Sequence, residues 1–193
     1  MADAEMIMFG RTAVRAAVGE LVDQPVQAIV YAANTRGLMG AGPPGSVRMA
    51  GGPEIEREAM ARAPLELGQA IVTTSGRLAE RGIEAVIHAV VSPHLGDPAE
   101  LPDVRRALVS TLQLADDRRF RSLAIPLLGL SAEATPHDRE VTIETIVDEV
   151  VAHLRRGPTR LETIIIVSRF ADDLVAIEGA LHRARQRSWV IQT

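Results

Sequence analysis

The chain lacks two residue types that carry much of protein side-chain chemistry. None of its 193 residues is lysine or cysteine, so all 21 basic side chains are arginine. The absence of lysine excludes a P-loop lysine, a Schiff base and a kinase-type lysine contact. The absence of cysteine excludes disulfides, a thiolate nucleophile, cysteine-ligated zinc and iron–sulfur clusters. Any chemistry must therefore rest on backbone donors, helix ends, arginine, carboxylates, hydroxyls, amides or the five histidines.

Long hydrophobic runs and an excess of positive charge are also absent. Apolar residues make up 47% of the chain and charged residues 24%, and no apolar run is long enough to cross a bilayer. Residues 1–10 carry no basic segment followed by an apolar stretch, so we expect a cytoplasmic protein without a membrane partner. The net charge of −4 argues against a nucleic-acid partner. This charge does not exclude the binding of one small anion, because local dipoles can outweigh the net charge of the chain.

Strand-like and helix-like segments alternate along the chain. Six short, nearly continuous apolar runs are typical of strands in a sheet that is covered on both faces. They lie at 13–18, 28–32, 70–74, 85–91, 123–128 and 163–167. Apolar residues at steps of three and four predict helices over 103–115, 137–155 and 172–185, and Pro53 with Glu54 marks another helix start. The alternation predicts one α/β domain over residues 1–193, with a mainly parallel central sheet.

A glycine-rich segment follows the second of these strands. Sheets of this class bind ligands at the carboxyl ends of their strands. Residues 33–47 are mostly small and lead into a helix, so free N–H groups and the helix dipole could hold an anion there. An ordinary surface loop is the alternative, and composition alone leaves it open.

Several motifs resemble, in order, those of a macrodomain, the ADP-ribose-binding fold. They are Val-Gln-Ala-Ile-Val-Tyr-Ala-Ala-Asn at 26–34, the glycine-bearing loop, Val-Arg-Met-Ala-Gly-Gly-Pro-Glu at 47–54, Ile-His-Ala-Val at 87–90 and Leu-Ala-Ile-Pro-Leu-Leu-Gly at 123–129. The resemblance spans nearly the whole chain. It implies a three-layer α/β/α fold with a mixed, mostly parallel sheet, and a site for ADP-ribose, free or on a modified protein. It implies neither a metal nor a cofactor.

The resemblance also implies which residues contact the ligand. The adenine would lie near Glu20 and Leu21, and Asn34 would lie beside the distal ribose. Phe170 would cover the adenine, although a core anchor for the last helix is an open alternative. The pyrophosphate would run between Gly40, Ala41, Gly42 and Ser46 of the first loop and Gly129, Leu130, Ser131 and Ala132 of the second.

The chain departs from the family pattern at Tyr31, which replaces the first asparagine of the family's Asn-Ala-Ala-Asn, and in both loops. Hydrolytic members carry an aspartate ten residues after the asparagine, and here that position is Pro44, preceded by Pro43, which lacks an N–H. In the second loop Ser131 and Ala134 replace glycines, which would strain any position with positive φ. Glu133 stands where relatives have an aromatic residue, and its charge would repel a nearby pyrophosphate.

The expected function is therefore a binding module for ADP-ribose or a related nucleotide diphosphate. An alternative is a hydrolase of ADP-ribosyl or O-acetyl-ADP-ribose esters, in which Asn34 would be the catalytic residue together with a substrate-held water. A second alternative is a degenerate macrodomain retained for protein contacts, with Pro43, Pro44 or Glu133 filling the cleft. Whether the protein is an enzyme, and its oligomeric state, stay open.

The histidines give no stronger signal. His88 lies in an apolar strand and is expected to be a buried structural histidine with a backbone partner. His94, Asp97 and His137 lack a metal-ligand spacing, so no metal site is predicted.

Overall fold

A computed structural model describes residues 5–40, 43–131 and 133–189. In this part of the chain seven strands form one sheet in the order β1-β2-β7-β6-β3-β5-β4. The strands are β1 (Ile7–Phe9), β2 (Thr12–Val18), β3 (Ala28–Asn34), β4 (Ala70–Thr74), β5 (Ala85–Ser92), β6 (Ser122–Pro126) and β7 (Thr163–Ser168). The neighbouring strands β2, β7, β6, β3 and β5 are all parallel. The two outermost strands, β1 and β4, pair antiparallel with β2 and β5.

Helices cover both faces of the sheet. They are α1 (Pro43–Gly51), α2 (Glu54–Met60), α3 (Leu101–Asp117), α4 (Pro136–Arg156) and α5 (Ala171–Trp189), with 3₁₀ turns at Leu21–Asp23 and Gly76–Arg81. Successive residues of β3 alternate between two buried clusters: Val30 packs with α3, α4 and α5, and Ile29 packs with α1 and α2. The predicted three-layer α/β/α fold with a mixed, mostly parallel sheet is confirmed. None of the described helices is both long and apolar enough to cross a membrane.

The parallel core determines where a site can form. The carboxyl ends of β2, β7, β6, β3 and β5 all reach the same edge of the sheet. The segments that follow these strands carry Glu20, Phe170, Gly129 and Asn34, so residues far apart in sequence share this edge.

The structure differs from the sequence prediction at two places. β1 has only three residues, too few for a periodic pattern to reveal it. Helix α1 begins at Pro43, inside the segment 33–47 that the sequence predicts to be a loop. Proline suits the first turn of a helix because its φ is already helical and its missing N–H would have no intrahelical partner. The predicted loop was therefore too long by five residues at this end.

Candidate functional site

Asn34 ends β3 and holds the turn that follows it. Its side chain is 2% exposed, its Nδ2 donates to the Leu38 carbonyl at 2.8 Å, and its Oδ1 accepts from the amides of Arg36 and Leu38 at 3.1 and 3.3 Å. A carboxamide has two N–H donors and two acceptor positions. Three of these four are used within the protein, so Asn34 has one N–H left to offer a ligand.

The side chains of Glu56 and Tyr31 contact the rest of the first loop. Glu56 of α2 accepts from the Met39 amide at 2.8 Å and pairs with Arg48 of α1 at 2.7 Å. Tyr31 replaces the first asparagine of the family motif, and its buried phenol is hydrogen-bonded by the Gly40 backbone. Burial, together with the Glu56 carboxylate, raises the pKa of Tyr31 to about 12, although the Gly40 hydrogen bond acts the other way.

The turn at Gly37 requires glycine. Its φ is +68°, and a Cβ at this position would lie 2.8 Å from the backbone carbon of Ala59 in α2. Gly37 donates its amide to the Asn34 carbonyl at 3.0 Å. The loop therefore runs directly against α2, and its amides from Thr35 to Met39 are all bonded within the protein.

The N-terminus of α1 follows this loop. Because α1 begins with Pro43 and Pro44, two of the four N–H groups that a helix normally leaves free at its start are missing. The amides that exist in the first turn belong to Gly45 and Ser46. Two predicted ligand residues, Ala41 and Gly42, lie outside the described residues.

The second loop connects β6 to α4. Gly129 has φ +82°, and a Cβ there would lie 2.8 Å from the Ala99 Cβ, so glycine is required. Arg119 is the one non-glycine with positive φ among the described residues, so Ser131 and Ala134 carry no such strain. Leu130 is half-buried, Ser131 and Glu133 are exposed, and Ala132 lies outside the described residues. The Glu133 side chain therefore reaches solvent.

Glu20 lies where β2 ends, beside the end of β7. Its Oε2 accepts from Arg169 Nη2 at 2.6 Å, and both side chains are about 40% exposed. Its carbonyl accepts from Gln24 Nε2 at 3.0 Å, which holds the 3₁₀ turn that begins at Leu21. Leu21 is half-buried against the cluster under α1 and α2. A carboxylate is thus held at the surface by Arg169, the residue that precedes Phe170.

Phe170 is 56% exposed, which excludes the core-anchor alternative. The guanidinium carbon of Arg139, from the first turn of α4, lies 4.4 Å from the centre of its ring. Arg139 Nη1 also donates to Asp173 Oδ2 at 2.8 Å. The buried Asp173 accepts a second hydrogen bond, at 2.5 Å, from the Ser168 hydroxyl at the end of β7. These contacts join β7, α4 and α5 around one aromatic ring.

His88 is fully buried, as predicted, but its partner is a side chain rather than the backbone. Its Nε2 lies 2.9 Å from the Thr73 hydroxyl, and its Nδ1 has no partner. The Tyr31 ring lies 5.5 Å away, centre to centre. Burial, and secondarily the charge of Arg62, lowers the pKa of His88 to about 4. His88 therefore stays neutral near pH 7 and belongs to the sheet interior.

A cavity of about 340 Å³ lies beside the first loop. It is lined by Thr35, Arg36, Leu38, Met60, Ala63 and Pro64, and includes none of the predicted ligand residues. Within residues 5–40, 43–131 and 133–189, no group of three or more acidic or histidine side chains could hold a metal ion.

Sequence reasoning missed Glu56, Arg139 and Asp173. Each acts on a segment distant in the chain, and no local pattern marks such a contact. The residues named beforehand lie at the predicted edge where they are described, and their contacts with a ligand stay predictions.

Comparisons with known proteins agree with the fold. The family model "Macro domain" matches residues 30–143. An uncharacterised protein of Aquifex aeolicus is 37% identical over 149 residues, covering 77% of this chain and 86% of that one. An ADP-ribose glycohydrolase of Bos taurus is 29% identical over 150 residues, covering 77% of this chain and 45% of that one. For two other relatives, the match covers 58% of one and 30% of the other.

Among solved structures, the macrodomain of Trypanosoma brucei in complex with ADP-ribose superposes with a TM-score of 0.75 at 23% identity. It covers 87% of this chain and 68% of that one.

Proposed function

Because the chain belongs to the macrodomain family, we propose that it is a binding module for ADP-ribose or a related nucleotide diphosphate, free or attached to a protein. The observation that supports this most is the convergence of residues at one edge of the sheet. Glu20 and Phe170 follow the adjacent strands β2 and β7, and the glycine-bearing loops follow the adjacent strands β6 and β3. A base, a pyrophosphate and a ribose would lie across these strands in that order.

The proposed contacts use hydrogen-bond donors and acceptors, and one aromatic ring, at this edge of the sheet. Glu20 would accept from the exocyclic amine of adenine, and the open ring of Phe170 would stack on the base. Asn34 would give its remaining N–H to a ribose hydroxyl. Since the amides from Thr35 to Met39 are bonded within the protein, the pyrophosphate donors would come from the residues between Met39 and the first turn of α1 and from the second loop.

Isothermal titration calorimetry with ADP-ribose tests the proposal. We expect saturable heat and a rise in melting temperature for the wild-type chain, with AMP binding more weakly because it lacks the pyrophosphate and distal ribose. The absence of binding heat and of any change in melting temperature at millimolar ADP-ribose would contradict the proposal.

A pair of matched variants tests the assignment of the base. Glu20→Ala removes the proposed acceptor and should raise the dissociation constant for ADP-ribose about tenfold, the value of one charge-assisted hydrogen bond. Asp23→Ala is the control, because Asp23 is in the same turn and has a similar exposed pair with Arg81. Equal effects of the two substitutions would contradict the role of Glu20.

Hydrolysis of ADP-ribosyl or O-acetyl-ADP-ribose esters is the second candidate, favoured by the similarity to a glycohydrolase. Pro44 lies in α1 at the position of the family's aspartate and has no group that could orient water, so Asn34 and the substrate would have to do so. Release of ADP-ribose from a modified protein, measured for wild type and Asn34→Ala, decides this. No release by wild type excludes the class, and release that survives the substitution excludes Asn34.

The third candidate, a degenerate module used for protein contacts, predicts no nucleotide binding, so the same calorimetry separates it from the first. Glu133 is exposed to solvent, so its burial gives this candidate no support. We also propose that the protein acts in the cytoplasm without nucleic acid, metal or cofactor.

A further inference from the structure

The Phe170 ring is fixed by a chain of contacts that starts in another helix. Thr135 caps α4 through its hydroxyl, which accepts from the Asp138 amide at 3.2 Å, and its carbonyl accepts from the Arg139 amide at 3.1 Å. Arg139 is therefore in the first turn of a helix with a defined start. Its side chain as a whole is three-quarters buried, which is unusual for an arginine.

One carboxylate oxygen directs this guanidinium onto the ring. Asp173 Oδ2 accepts from Arg139 and from the Ser168 hydroxyl, and the Ser168 hydroxyl in turn accepts from the Phe170 amide at 3.2 Å. The Asp173 amide donates to the Phe170 carbonyl at 3.2 Å. Both the backbone of Phe170 and the cation above its ring are thus tied to Asp173.

The arrangement places a guanidinium on one face of the ring, and Phe170 as a residue stays more than half exposed. A free aromatic side chain at the surface would rotate, and binding a base would have to stop that rotation. A guanidinium held on one face prevents it in advance. The positive charge of the guanidinium also draws electron density toward its own side of the ring. The opposite face is then less negative, which favours the stacking of an electron-rich base there.

We propose that Arg139 is a positioning residue, which acts through Phe170 to present an ordered aromatic face to the purine base of a nucleotide. This inference rests on the proposed function, because it assumes that the base lies on Phe170. The sequence predicts a contact between the base and Phe170, at the junction between β7 and α5. The inference adds Arg139 of α4 to that contact.

A double-mutant cycle on the dissociation constant for ADP-ribose tests the proposal. Arg139→Met should weaken binding by about two- to tenfold, which corresponds to the ordering of one side chain on binding. In the Phe170→Ala background the same substitution should change the constant by less than about twofold, because nothing is left to position. A purely structural role of Arg139 would weaken binding equally in both backgrounds.

Two further variants separate positioning from folding. Arg139→Lys keeps a charge near Asp173 but loses the planar group, so its melting temperature should stay near that of wild type while its affinity falls between those of wild type and Arg139→Met. Arg183→Met is the matched control, since Arg183 also pairs with a carboxylate across α4 and α5, that of Glu144, and has no aromatic partner among the described residues. It should leave the affinity unchanged.

The outcomes distinguish the two proposals. If wild type binds ADP-ribose and the cycle shows no coupling, or if Arg139→Met binds as well as wild type, the role of Arg139 is wrong and the proposed function stands. If wild type binds no ADP-ribose, both are wrong.

Discussion

At the scale of single residues, Gly37 and Asn34 together determine the shape of the first loop. Asn34 was predictable because it ends an apolar strand and matches a family motif. Its structural role was not, since the pattern cannot show that three of its four hydrogen-bonding positions are used by its own turn. Tyr31 was recognisable as a departure, but only the fold shows that its phenol supports the Gly40 backbone.

A comparison of two glycines tests the close approach of this loop to α2. Gly37 and Gly10 have nearly the same φ, +68° and +61°, but a Cβ at Gly10 would have no neighbour within 4 Å. Gly10→Ala should lower the free energy of unfolding by about 1–2 kcal/mol, which is the cost of a left-handed backbone conformation at a residue with a Cβ. Gly37→Ala should cost clearly more, because the Cβ would press on the backbone of Ala59.

Urea denaturation of the two variants measures the difference. If both lose the same free energy, the contact between the loop and α2 is not as close as described. ADP-ribose affinity, measured on the folded variants, should fall for Gly37→Ala alone.

At the scale of elements, the central strands and long helices were predicted because their patterns are continuous. The start of α1 was not, because a run of glycine and proline is typical of a loop, and only the helix that follows shows that the prolines occupy its first turn. The contact between Arg139 and Phe170 was also out of reach. It joins the starts of two helices whose packing depends on the whole sheet.

The start of α4 gives a prediction at this scale. Thr135 and Asp138 form a capping box, and the hydrogen bonds from the side chain and backbone of Thr135 lower the pKa of Asp138. Thr135→Ala should lower the unfolding free energy at pH 7 by about 1 kcal/mol, while Thr135→Ser keeps the oxygen and should cost much less. Thermal or urea unfolding measures both. An equal loss in the two variants would mean that the methyl group, rather than the cap, stabilises the helix.

At the scale of the whole molecule, His88 ties stability to pH. The pKa of His88 is about 4 in the folded protein and 6.5 in the unfolded chain. The stability that its neutral form contributes is complete above pH 6.5 and is lost as the pH falls from 6.5 through 4, on the order of 3 kcal/mol in total. Unfolding free energies measured by urea between pH 7 and pH 4.5 should decline accordingly.

Two variants separate this contribution from that of the carboxylates. His88→Gln cannot titrate, so its stability should fall less steeply over the same range, although it starts lower. His94→Gln, in the exposed loop after β5, should keep the slope of wild type. If His88→Gln has the wild-type slope, the buried histidine is not the acid-sensitive group.

Tyr31 gives the molecule one further property. It is the single tyrosine of the chain, and its phenol lies beneath the first loop, bonded by the Gly40 backbone. Tyrosinate absorbance can therefore arise from one known place only. Because burial raises the pKa of Tyr31 to about 12, the band should form only well above the ordinary phenol pKa near 10. An alkaline titration of the wild-type absorbance is thus a label-free optical reporter for the loop beside Asn34.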